Sequence, residues 1–170
     1  MQKVDLLLQI HLQDNPNATA AVYPWMEVLI PSVDAILAEM IGENLGLLEG
    51  VTGGASKHPI AFTAKRAHNS RWFIYQPDSV PDAINDIKNL IDRWTMPLLK
   101  ECFSAEVFVA ADQREDGRLA RDRAQGMRVA AAALVSQRKD YAQAMMERWL
   151  GSPGTRRRYQ QVYEYIQQAV

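Results

Sequence analysis

The chain has 170 residues, a formal net charge of -1, 48% hydrophobic and 23% charged residues, with nine Gly and eight Pro. These proportions exclude a disordered, low-complexity or collagen-like chain. The length is that of one domain with a sizeable core, residues 1–76 reading as a helix plus antiparallel sheet and 77–170 as a helical part.

The first apolar segment, Leu6 to Leu12, fits either period. Leu6, Leu8, Ile10 and Leu12 share one side if it is extended, whereas Val4, Leu7, Leu8, His11 and Leu12 do so if it is helical. Asp14-Asn15-Pro16-Asn17 ends it, because Asx side chains close turns and proline has no amide hydrogen. Tyr23 to Ile30 reads as a helical turn or two begun near Pro24, broken by Pro31. Val33, Ile36, Leu37, Met40 and Ile41 then mark a core-facing helix, with Ser32 as expected N-cap and Gly42 near its end.

A glycine-marked stretch, Gly46 to Gly54, suits a short strand and a turn. The alternation of Ile60, Phe62 and Ala64, the turn residues Ala67 to Ser70 and the run Arg71-Trp72-Phe73-Ile74-Tyr75 predict a β-hairpin, 59–66 with 71–76. Beyond Pro77 no strand is expected. Ser79, Pro81 and Asp82 open a helix whose stripe is Ile84, Ile87, Leu90, Ile91 and Trp94, with Pro97 as its interruption. Ser104 caps a short helix through Ala111. Leu119 to Val135, Asp140 to Leu150 and a last helix capped by Thr155, with Tyr159, Val162, Tyr163 and Ile166 buried, complete the chain, Gly151 to Gly154 being a stop with a left-handed turn. The fold class is α+β, a small antiparallel sheet packed against a mostly helical C-terminal half.

The segment Gly50 to Lys57 invites comparison with phosphate-cradling loops, making Gly53, Gly54 and Lys57 candidate anion ligands. A Walker loop needs its lysine next to Ser or Thr at the start of a helix, whereas His58-Pro59 follows Lys57, so a plain turn is the simpler reading. His11, His58, His68 and Cys102 show no metal-ligand spacing, and no cofactor is expected. No nucleophile elbow is present, and Cys102 lies in an apolar run where a thiol is inert. The acid pairs Glu115-Asp116 and Asp82 with Asp86 read as solvated. The aromatics Trp72 and Tyr75, with Trp25, Trp94 and Trp149, read as core, any exposed tryptophan being a candidate partner anchor.

The single cysteine excludes a disulfide-stapled scaffold, and no stretch approaches the ~18 apolar residues of a membrane span. The N-terminal apolar run, broken at Gln9, is not that of a signal peptide, so cytoplasmic residence without a membrane partner is expected.

Charge is divided unevenly. Residues 1–85 carry five basic and nine acidic side chains, and residues 86–170 carry fourteen and eleven. Arg114, Arg118, Arg121, Arg128 and Arg156-Arg157-Arg158, with Tyr159 able to stack, are candidates for a partner-binding face. Arginine pairs with carboxylate and phosphate alike, so an acidic protein or a nucleic acid would suit it, although the net charge of -1 argues against nucleic acid.

The strand Arg71-Trp72-Phe73-Ile74-Tyr75, the helix start Val80-Pro81-Asp82-Ala83-Ile84, the stretch Ile91 to Leu99, and the segments Ala131 to Val135 and Asp140 to Ala144 resemble uncharacterised bacterial domains encoded beside polymorphic toxins and regarded as immunity-type proteins. The resemblance spans Ile60 to Leu150 and carries over no functional residue. It implies a non-catalytic bacterial protein that binds another protein, as an immunity-type or adaptor protein. A nucleic-acid or phosphate binder using the Arg-rich helices is the alternative, and an enzyme with a dispersed site the third.

Overall fold

The computed structural model describes residues 5–15, 18–42, 56–64, 71–101, 104–115 and 123–169. Within them the chain is α+β, with a four-stranded antiparallel sheet and a mostly helical C-terminal half. The strands are β1 (Asp5–Asn15), β2 (Ala18–Leu29), β3 (Ser56–Pro59) and β4 (Trp72–Ile74). The ambiguous first segment is therefore extended, and β2 replaces the helical turns expected at Tyr23 to Ile30. Val22, Pro24, Met26, Val28 and Ile30 are buried, while Tyr23, Trp25 and Leu29 are half-buried. That alternation, interrupted by the buried Ala21 and Glu27, is the period of a strand, and Pro24 masks it in the sequence.

β1 and β2 pair from Asp5 opposite Leu29 to Gln13 opposite Ala21, with a register shift before Asn15. The second edge of β2 is shared. β3 covers Trp25 to Val28 and β4 covers Ala20 to Val22. The gap between them falls at Tyr23 and Pro24, so the residue that has no amide hydrogen sits where the neighbouring strand changes.

The hairpin expected at 59–66 and 71–76 has a different form. Both ends of that segment contribute antiparallel strands, but each pairs with β2. Ile60–Thr63 is a 3-10 turn, stabilised by a 2.6 Å hydrogen bond from Thr63 Oγ1 to the Ile60 carbonyl. A hydroxyl that bonds its own backbone competes with a ladder, and here it wins.

The helices are α1 (Pro31–Ile41), α2 (Val80–Leu90), α3 (Met96–Glu101), α4 (Ala105–Gln113), α5 (Arg123–Val135), α6 (Lys139–Leu150), α7 (Pro153–Arg158) and α8 (Gln160–Ala169). Pro31 starts α1, occupying its first turn, where a missing amide costs nothing; Ser32 is inside the helix and Ile30 is the N-cap. Pro97 does not interrupt its helix either. Residues Ile91–Thr95 form a π turn between α2 and α3, with the Met96 amide bonding the Ile91 carbonyl five residues back. That widened turn lets the chain pass a proline while staying helical.

Ser104 caps α4, its Oγ accepting from the Val107 amide at 3.3 Å. Gly151 is right-handed at φ -70, and Thr155 lies inside α7, so the expected stop is a short bend between helices. No described segment beyond β4 is a strand, and no described helix is long and apolar enough to cross a membrane.

Every residue of α5 from Gln125 to Leu134 is buried, which makes it the central helix. Its core neighbours include Val33, Leu37 and Met40 of α1, Phe108 and Val109 of α4, Met145 and Met146 of α6, and Val162 and Ile166 of α8. Val22, Met26 and Val28 of β2 belong to the same cluster, so sheet and helices share one core. Close approach of α5 to α6 requires Gly126, since a Cβ there would lie 2.4 Å from Trp149 Cδ1.

Candidate functional site

β4 is the aromatic strand, and its alternation sorts its side chains. Trp72 is 6% exposed and joins the core, whereas Phe73 is 40% exposed. The partners across the ladder, Val22, Ala21 and Ala20, are small enough to lie beside an aromatic run. Tyr75, expected in the core, is 61% exposed and stands just beyond the last residue of β4. Its ring stacks on that of Phe73, with centroids 6.2 Å apart.

After β4, a 3-10 turn at Pro77–Ser79 leads into α2. Ser79 Oγ donates to the Gln76 carbonyl at 2.7 Å, tightening that turn. Asp82 lies in the first turn of α2. Trp72 Nε1 donates to Asp86 Oδ2 at 2.6 Å, tying strand to helix. Asp86 is therefore the acceptor for a buried indole as well as a surface acid, a role that its predicted pairing with Asp82 gave no sign of.

Between β4 and α2 lies an open groove of about 450 Å³, lined by Arg71, Phe73, Tyr75, Asp82, Ala83 and Asp86 among others. Asp82 and Asp86 line it and are exposed. The Arg71 guanidinium is stacked 4.3 Å from the centre of the Tyr23 ring. The groove thus combines two exposed, mutually ordered aromatics with an acidic rim. No tryptophan with a described side chain is fully exposed; Trp25, Trp94 and Trp149 are half-buried.

The Arg-rich candidates are distributed differently from their expected common face. Arg118 and Arg121 lie outside the described residues, and Arg114 is exposed at the end of α4. Arg128 is only 2% exposed, inside α5 between Met127 and Val129, and belongs to no surface. Arg156, Arg157 and Arg158 are exposed on α7. Tyr159 is 8% exposed, so its ring is a core element with Arg158 5.7 Å above it. Arg156 stacks on Tyr163 at 3.9 Å, Arg148 on Trp149 at 5.6 Å and Arg138 on Tyr141 at 5.9 Å. These arginines cover aromatic edges of the helical layer, a packing role for guanidinium groups that charge counting overlooks. Arg156 and Arg157 also line an open groove of about 440 Å³ with Gln160 and Gln167.

Of the glycine-segment candidates, Gly53 and Gly54 lie outside the described residues. Lys57 is in β3, opposite Glu27 of β2. His11 and His58 fall on β1 and β3, His68 and Cys102 fall outside the described residues, and no group of metal-ligating side chains occurs among the described ones.

A polar cluster lies deeper, and the sequence reading missed it. Glu27, Gln125 and Arg128 are buried. Asp34, in the first turn of α1, couples electrostatically to Glu27 and Arg128. Burial raises the Asp34 carboxyl from 3.8 to about 6, Glu27 adds to the rise, and Arg128 with a backbone hydrogen bond from Ile30 offsets part of it. The available signal was the placing of Glu27 between Met26 and Val28, and of Arg128 between Met127 and Val129, each a charge inside an apolar run. Scans against protein-family models, curated proteins and solved structures find no match to this chain.

Proposed function

We propose that this chain is a non-catalytic protein-binding protein of the immunity or adaptor kind, working in the bacterial cytoplasm, and that the groove between β4 and α2 receives a basic, partly apolar segment of its partner. The carrying observation is the exposed, stacked pair Phe73 and Tyr75 in one groove with the exposed Asp82 and Asp86. Aromatic anchors supply much of the contact energy of interfaces because each buries a large area at little entropic cost. The acidic rim supports recognition of a cationic segment, accelerating encounter and rejecting acidic surfaces.

The test is capture from the native host, followed by direct titration of the captured protein with purified wild type and variants. Phe73→Ala with Tyr75→Ala is expected to weaken binding at least about tenfold, the loss of one to two anchor contacts. Asp82→Lys is expected to slow association and flatten its salt dependence. A partner that binds the aromatic double variant with undiminished affinity overturns this reading.

A second reading, an anion or nucleic-acid site, draws support from the groove at Arg156 and Arg157. It requires salt-dependent retention on DNA or RNA that Arg156→Ala and Arg157→Ala reduce, and absence of retention at low salt ends it.

A further inference from the structure

β1 is an edge strand of unusual character. It runs eleven residues and is terminal in the strand order, with β2 as its single strand partner among the described residues. Natural edge strands of this length are normally guarded by lysine, proline, a bulge or brevity, because their free backbone groups template pairing with another chain. From Leu6 to Gln13 the sequence holds no Lys, Arg, Asp, Glu, Pro or Gly. The only irregularity in its ladder comes after Gln13.

The pattern is also self-complementary. Antiparallel pairing with a second copy about a two-fold axis at Gln9 sets Leu6 opposite Leu12, Leu8 opposite Ile10, Leu7 opposite His11 and Asp5 opposite Gln13. In the existing ladder Leu6, Leu8, Ile10 and Leu12 stand opposite Val28, Met26, Pro24 and Val22, and those four β2 residues are buried. Directly paired residues share a face, so this register continues the apolar rows of the core face across the junction. It also sets no like charges opposite one another, and nine residues span about 30 Å of ladder.

We infer that the outer edge of β1 is a homodimer interface, in which two copies pair antiparallel through residues 5–13 and join their four-stranded sheets into one. The self-complementarity favours a second copy over a strand of another protein. The proposal is independent of the groove between β4 and α2, which lies beyond the opposite edge of β2.

The register makes the test specific, because Gln9 faces its own counterpart. Wild type is expected to sediment as a dimer at micromolar concentration. Gln9→Lys and Gln9→Glu should each be monomeric through repulsion at the axis, and an equimolar mixture should recover the dimer mass. In wild type, amide exchange at residues 6–12 should slow as concentration rises, a readout that needs no variant. A wild type that stays monomeric with concentration-independent exchange overturns the proposal, as does a Gln9→Lys variant that dimerises as strongly as wild type. Folded monomeric variants whose mixture does not dimerise overturn the register at Gln9.

Discussion

The hydroxyls of Thr63 and Thr95 meet at 3.0 Å, both buried, and join the 3-10 turn after β3 to the π turn between α2 and α3. Thr63 has one hydroxyl hydrogen and gives it to the Ile60 carbonyl, so Thr95 is the donor in the pair. Two irregular turns thus satisfy each other in the core. Thr95→Val removes one bond and is expected to cost about 1 kcal/mol, whereas Thr63→Val removes two, the one to the Ile60 carbonyl and the one that satisfies the buried Thr95 hydroxyl, and should cost about 2–3 kcal/mol. Chemical denaturation of the two variants and their double mutant measures this, and equal costs would refute the assignment of donor.

Gln137 sits at φ 59 immediately after α5. The Arg138 amide bonds the Ala133 carbonyl at 2.7 Å and the Gln137 amide bonds that of Leu134 at 3.1 Å, the paired bonds of a Schellman cap. A side chain in this left-handed position is strained, and Gln137 is exposed. Gln137→Gly should therefore stabilise the protein by about 0.5–1 kcal/mol, against the usual direction of a glycine substitution. A lowered melting temperature would contradict this.

Gly126 presents the opposite case. Alanine is the better helix former by about 1 kcal/mol. At this position, however, its Cβ meets Trp149 at Cδ1, Cγ and Nε1, all within 3 Å, near the rigid root of the ring. Gly126→Ala is expected to cost about 1–3 kcal/mol through the forced separation of α5 from α6, with a shift in tryptophan fluorescence. Gly126→Ala paired with Trp149→Leu should recover most of the loss.

Asp34 sets a pH dependence whose sign is unusual for a carboxylate. Its folded value of about 6 lies above the ordinary 3.8, so the native state holds the proton more tightly than the unfolded chain. Its contribution to stability is therefore greatest below pH 3.8, falls as pH rises toward 6, and stays at its low level above that. Asp34→Asn should stabilise the protein near neutral pH by about 1 kcal/mol, solvent screening of a half-buried group keeping the gain small. The gain should vanish below about pH 4, where wild type is protonated. Thermal melts of both proteins across this range decide it.

Most of the helical half was legible because its cues are local; α2 is the exception, since Ile84 of its expected stripe is 57% exposed and Leu90 alone of the helix is buried. Val33, Leu37, Met40 and Ile41 of α1, and Tyr159, Val162, Tyr163 and Ile166 before and along α8, are buried as their spacing indicated. The sheet was less legible, since its ladders are set by partners distant in sequence. Nothing near Trp72 announces Val22, and Ile60 to Thr63 alternates like a strand yet closes a turn through a threonine hydroxyl. Pro24 and Pro97 misled in the same way, as each is absorbed by a local adjustment of its neighbours. At the candidate site, the aromatic run drew notice at once. Which face of the run is buried, Trp72 inward and Phe73 outward, depends on the side from which the helical layer covers the strand paired with β2, which is a tertiary fact.

The position of β2 between β1 on one edge and β3 with β4 on the other has a consequence for cooperativity. In the described sheet no other two strands pair with each other, so releasing β2 releases all of them at once. The sheet has no smaller independent unit to fall back on, and amides of β1, β3 and β4 that exchange through loss of β2 should share one opening free energy. Two strands of three and four residues, too short to persist alone, thereby acquire the durability of the longest of the described strands.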